Sequence, residues 1–171
     1  MRWCVKSIAG TAVVLLLANG ASAQSQPPSA QDFAAAAAQS DAYEIDAARV
    51  AQLQAQDQNI RAFADQMIKD HMQTSQSFKA AVAKAGLPPP PDGPNADQAR
   101  MLSALQSMKG TDFDKAYVVQ QVVAHQGAVA VEQEYVDKGT EPNLKYAATT
   151  SLPLIRHHLA MARQLESGLS R

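Results

Sequence analysis

Apolar residues recur at steps of three and four through most of the chain, the spacing that gathers side chains on one face of an α-helix. The clearest case runs from Ala62 to Ala85, where Phe63, Met67, His71, Thr74, Phe78 and Val82 share a stripe. Upstream, the alanine-rich segment Ala30 to Gln56 places Phe33, Ala37, Ser40, Tyr43, Glu44, Ala47 and Val50 on one side. Asp57 is the expected N-cap of the second helix, which starts near Gln58 and stops at Gly86, a glycine in the usual position past a helix end. So short a connection predicts an antiparallel pair.

The pattern breaks between Leu87 and Gly110. Pro88 to Pro91 and then Asp92-Gly93-Pro94 forbid helix, after which Asn95 or Asp97 caps a short one through Met108. Thr111 and Asp114 read as a capping box that opens a third long helix, ended by Lys138-Gly139. Thr140-Glu141-Pro142 opens the last, whose stripe is Leu144, Ala148, Leu152, Ile155, His158, Leu159, Ala162 and Leu165. Pro153 inside it predicts a kink, with Thr149, Thr150 and Ser151 placed to satisfy the freed carbonyl.

The second helix is about 40 Å long, and the polyproline run plus the short helix cover roughly 32 Å, so the connector can run the height of the molecule. The predicted fold is all-α: a ferritin-like four-helix bundle of two antiparallel hairpins, joined by a long crossover that contains a short extra helix. The second and third long helices are then parallel. No repeat of fixed period is visible, which excludes a solenoid.

The first residues change the picture of where the protein works. Arg2 and Lys6 precede an apolar run from Ile8 to Ala18, too short to span a bilayer, and Ala21-Ser22-Ala23 matches a cleavage signal. Residues 1–23 are read as a secretory signal peptide cut between Ala23 and Gln24, 24–29 as a disordered leader and 30–169 as a single helical-bundle domain. The expected location is periplasmic or secreted. Cleavage removes Cys4 and Trp3, the sole residues of their kinds, and two of the 15 basic residues against 16 acidic ones. The mature chain is thus mildly acidic, without disulfides, without a transmembrane segment and without the basic footprint of a nucleic-acid binder.

Three histidines lie in apolar stripes, and the topology brings them to one level. Glu44 lies 13 residues before Asp57, His71 lies 14 after it and His125 lies 14 after Thr111, all about 20 Å from the same end. His158, ten residues before Gly168, lies about 15 Å from it. One carboxylate and three imidazoles make a candidate site for one transition-metal ion, zinc, copper or iron, with Glu44, His71, His125 and His158 as ligands. The competing reading makes each a neutral buried imidazole held by a carboxylate or carbonyl. Rotation of the third long helix decides between them, since Phe113, Tyr117, Ala124, Ala128 and Val131 compete with Val118, Val122, His125, Val129 and Val136 for the inward face.

Other polar residues weigh less. Asp70 points about 100° away from His71, toward solvent or a neighbouring helix. His157 leaves its helix's stripe and belongs on the surface, whereas Glu132, two turns beyond His125, shares that residue's face. The scattered methionines form no copper-trafficking tract. There is no G-x-S-x-G elbow, no mature cysteine and no glycine-rich phosphate loop, so nothing supports an enzyme built on a nucleophile.

Met67-x-x-Asp70-His71, Phe113-Asp114-x-x-Tyr117 followed by His125, and Leu152-Pro153-x-x-x-x-His158-Leu159 resemble the bacterial domain-of-unknown-function family 4142 over about Phe33 to Leu165. The resemblance implies an exported, ferritin-like helical bundle without a settled activity. It also implies that Glu44, His71, His125 and His158 occupy recurrent polar positions. Ala124 stands where the family often has an Asp before the third-helix histidine. A di-iron site needs Glu-x-x-His on two helices, but Ile68 and Ile155 stand three residues before His71 and His158, which disfavours an oxidase or iron store. The sequence therefore predicts a non-enzymatic metal-binding bundle. The alternative is an envelope-stress or interaction module that self-associates or meets an envelope partner, its histidines purely structural.

Overall fold

Short polar side chains set most of the helix starts in the computed structural model, which describes residues 27–169. The expected signal peptide, its cleavage point and the start of the expected leader lie outside the described residues. Ser29 accepts the Asp32 N–H and opens α1 (Ala30–Gln54), and Asp57 accepts the Asn59 N–H and opens α2 (Gln58–Lys84). Of the two caps considered for α3 (Ala96–Ser107), Asn95 is the one used, in a full capping box with Gln98. Then follow α4 (Gly110–Lys138) and α5 (Pro142–Leu169). No strand occurs among the described residues, and the all-α expectation holds.

Three local expectations are corrected. Thr111 and Asp114 do not cap α4, which begins at Gly110 without a side-chain cap. Asp114 is buried instead, and its two oxygens accept the backbone N–H groups of Gln56 and Asp57, each at 3.0 Å. A carboxylate from α4 thus satisfies the turn between α1 and α2, which explains why α1 stops two residues early. α5 continues through Pro153, but the hydroxyls of Thr149 and Thr150 donate to the carbonyls of Lys145 and Tyr146. Proline frees the carbonyl four residues back, that of Thr149, so these hydroxyls serve an earlier turn.

The long helices pack as α1 with α2 and α4 with α5, and the pairs meet through α1 against α4 and α2 against α5. Tyr43 donates to Gln120 while Gln56 meets Asp114, so α1 and α4 are antiparallel. Phe63 lies edge-on to Tyr117 at one end, and Phe78 clusters with Tyr135 at the other, so α2 and α4 are parallel. The proline-rich connector makes that possible, and its helix α3 lies over α1 and α4. Buried apolar residues form two clusters, one around Tyr43, Phe63, Met67 and Tyr117, the other around Phe33, Phe78, Tyr135 and Leu144. Between them runs a buried polar belt.

Candidate metal centre

The belt is built from one or more inward residues of each long helix: Asp41 and Glu44 on α1, Asp70, His71 and Thr74 on α2, Gln121, His125 and Glu132 on α4, Ser151 and His158 on α5. The three histidines are 2 %, 1 % and 0 % exposed, in chain order. Their rings face one another, with centroids 5.7 Å apart for His71 and His125, 5.3 Å for His71 and His158 and 5.5 Å for His125 and His158. The rotation of α4 left open by its sequence is resolved: Val118, Val122 and His125 face inward, joined by Phe113 and Tyr117 one end further along.

Each ring is held by one nitrogen. Nδ1 of His71 donates to Asp41 at 2.7 Å, Nδ1 of His125 to the backbone carbonyl of Gln121 at 2.9 Å, and Nε2 of His158 to Asp70 at 2.9 Å. A carbonyl or carboxylate only accepts, so each neutral ring carries its lone pair on the other nitrogen. Those three nitrogens, Nε2 of His71, Nε2 of His125 and Nδ1 of His158, have no hydrogen-bond partner. One ligating nitrogen from each ring lies within 4.8 Å of the others. An ion about 2 Å from each needs them roughly 3.4 Å apart, so ring shifts of about an ångström complete a three-nitrogen site.

Glu44 stands behind this cluster rather than in it. Its Oε1 is 3.8 Å from Nδ1 of His125, the nitrogen on the ring's far side, and its Oε2 accepts from Gln121 at 2.7 Å. Burial raises its carboxyl to about 7, against the opposing pull of His71 and the Gln121 hydrogen bond. Burial likewise holds His125 and His158 down to about 4, with His71 adding to the effect on both. His71 differs. Burial disfavours its cation too, but the Asp41 hydrogen bond and the carboxylates of Glu44, Asp41 and Asp70 outweigh that and raise it.

Asp41 was not among the candidates, yet it orients His71 and also accepts from Thr74 at 2.8 Å. A signal existed in its spacing, since Asp41 and Glu44 are three apart on α1. Asp70 does turn away from His71, and it does so toward α5, where it fixes His158. Glu132 is buried on the His125 face and accepts from Ser151 at 2.9 Å; His157 is exposed.

A helical bundle with a buried three-imidazole cluster is the class of protein that fold and site define. Residues 17–165 match the family described as domain of unknown function DUF4142, and the chain belongs to that family. No curated protein matches it. Its fold is similar to that of a DUF305 fragment from Deinococcus radiodurans, with TM-score 0.68 and 21 % identity over 85 % of this chain and 99 % of that one. A DUF305 protein of Streptomyces coelicolor, named as a candidate secreted protein, gives TM-score 0.68 and 13 % identity over 81 % and 91 %. CopM in its Cu(I)-bound form gives TM-score 0.68 and 19 % identity over 81 % and 95 %. At these identities the likeness concerns the fold.

Proposed function

We propose that this chain is an exported bundle that binds one transition-metal ion through Nε2 of His71, Nε2 of His125 and Nδ1 of His158. The observation that carries the reading is three buried rings, each held through one nitrogen and unpartnered at the other, that bring one ligand nitrogen apiece within 4.8 Å of the others. Leaving three buried nitrogens unsatisfied costs stability, and a metal is the partner that satisfies all three at once. Asp41 and Asp70 orient two of the rings and offset the ion's charge, while Glu44 adds a third carboxylate behind His125. Neutral nitrogen donors in an apolar layer suit copper or zinc better than a hard cation. CopM, which holds Cu(I), supports copper first. The apolar run and cleavage signal before Gln24 support export.

The test is elemental analysis of the purified mature protein, followed by titration with Cu(I) and Zn(II). One equivalent of either is expected, lost in the paired variant His71→Ala, His125→Ala. Absence of any bindable metal would remove the reading. Lowered stability of the variant with unchanged metal uptake would favour the alternative, an interaction module with structural histidines.

A further inference from the structure

The imidazoles are buried, so an ion needs a path to them. A cavity of about 280 Å³ lies between α1, α3 and α4; it is lined by His71 and Asp41 inside and by the exposed residues Asn95, Val123, Gly127 and Val131 at its outer side, which we take as its mouth. Gly127 and Val123 are exposed, and Val123 is 56 % accessible. Among the buried residues that line it, Asp41, His71 and Glu132 are polar. Oδ2 of Asp41 is buried and without a partner, and Glu132 of α4 lines the same cavity. Met101 of α3 places a thioether, a soft donor, beside the passage.

Gly127 has no conformational reason to be glycine. It sits inside α4, its φ is not positive, and a Cβ there would meet nothing within 4 Å. Glycine inside a helix weakens it, so neither backbone nor packing accounts for the residue. The missing side chain does have one effect: it leaves the mouth open beside Ala124 and Ala128, themselves small.

We propose that this cavity is the loading and release route of the metal centre, with the free oxygen of Asp41 as the station an ion meets before His71. The proposal rests on the metal-binding reading above. It assigns the exchange kinetics to one face of the bundle, away from the groove between α2 and α5 that Ala80 lines.

The experiment follows transfer of Cu(I) from a chromophoric chelator to the full mature chain under anaerobic conditions, and its return. Gly127→Phe lays a ring across the mouth, whereas Gly127→Ala adds a methyl group and serves as the control for helix stability. Ala80→Phe places the same ring over the opposite groove. With the route plugged, loading and release both slow by about tenfold or more, because the ion then waits on local opening of the bundle. Equilibrium affinity stays within about twofold, since no ligand changes. Gly127→Ala and Ala80→Phe exchange at the wild-type rate. Unslowed exchange in Gly127→Phe, or slowing in Ala80→Phe instead, overturns the route and leaves the site standing. A wild type that takes up no Cu(I) overturns both.

Discussion

Single residues in the belt carry charge states that their surroundings decide. Glu132 is the sharpest case, because burial raises its carboxyl from 4.5 to about 8 against the Ser151 hydrogen bond. Its folded value lies above its unfolded one, so its contribution to stability is complete below about pH 4.5 and lost as pH rises through 8. Glu132→Gln resembles the protonated form and does not titrate. The variant should therefore gain on the wild type by about 1.4 kcal/mol per pH unit between 4.5 and 8. Urea unfolding at pH 5 and pH 8 measures this, and an equal gap at both would show that Glu132 ionises normally. Legibility at this scale was uneven. His71 and His158 stood out because a histidine in an apolar stripe is conspicuous, while Asp41 did not. Next to Ser40 in an alanine-rich helix, where most positions are small, the stripe has no sharp edge, and the choice between neighbours falls to tertiary contacts.

Among the helices, ends and crossing points repay attention more than interiors. Stripes and caps in the sequence located all five, and the errors fell at the hydroxyls before Pro153 and where an acidic side chain had a distant partner. Asp114 looked like a local cap because Thr111 precedes it by three residues, yet it is used across 57 positions to hold the turn before α2. Gly139 shows a contact that spacing does not reveal. It ends α4 at φ −60, an ordinary conformation, but a Cβ there would lie 2.5 Å from the Tyr135 carbonyl oxygen and 2.6 Å from its ring. That ring cannot swing aside freely, being stacked on Phe33 with centroids 3.9 Å apart. Gly139→Ala is therefore expected to cost about 1 to 3 kcal/mol, like other overpacked sites. Thermal melts test it, with Gly127→Ala as the opposite case: no contact opposes that methyl group, and a gain of up to about 1 kcal/mol is expected. Equal shifts in the two variants would refute the steric argument.

For the whole molecule, the belt divides the apolar core into two clusters, and an ion bound there ties α2, α4 and α5 together at that division. The unfolded chain has no such site, so free ion at 100 times its Kd adds about 2.7 kcal/mol to stability. Protons compete for the same lone pairs. His125 and His158, held near 4, remain neutral through mildly acidic solution, whereas His71 lies above its ordinary 6.5 and is the first ring to take a proton. Its bond to Asp41 uses Nδ1, so the competing proton sits on Nε2, the atom assigned to the metal. Affinity should then fall by about tenfold per pH unit once the pH is below the raised value of His71, the slope of one proton, and more steeply below about 4, where His125 and His158 join. Glu44, raised to about 7, would add a second proton to the balance, and Glu44→Gln isolates the His71 proton, with its onset moved to lower pH because one of the carboxylates that raise that ring is gone. A titration series from pH 4.5 to 8 gives the slope. A flat profile would mean that His71 is not a ligand, because the Asp41 carboxylate that helps raise that ring's affinity for protons occupies its Nδ1 and leaves Nε2 as the atom for which proton and metal compete.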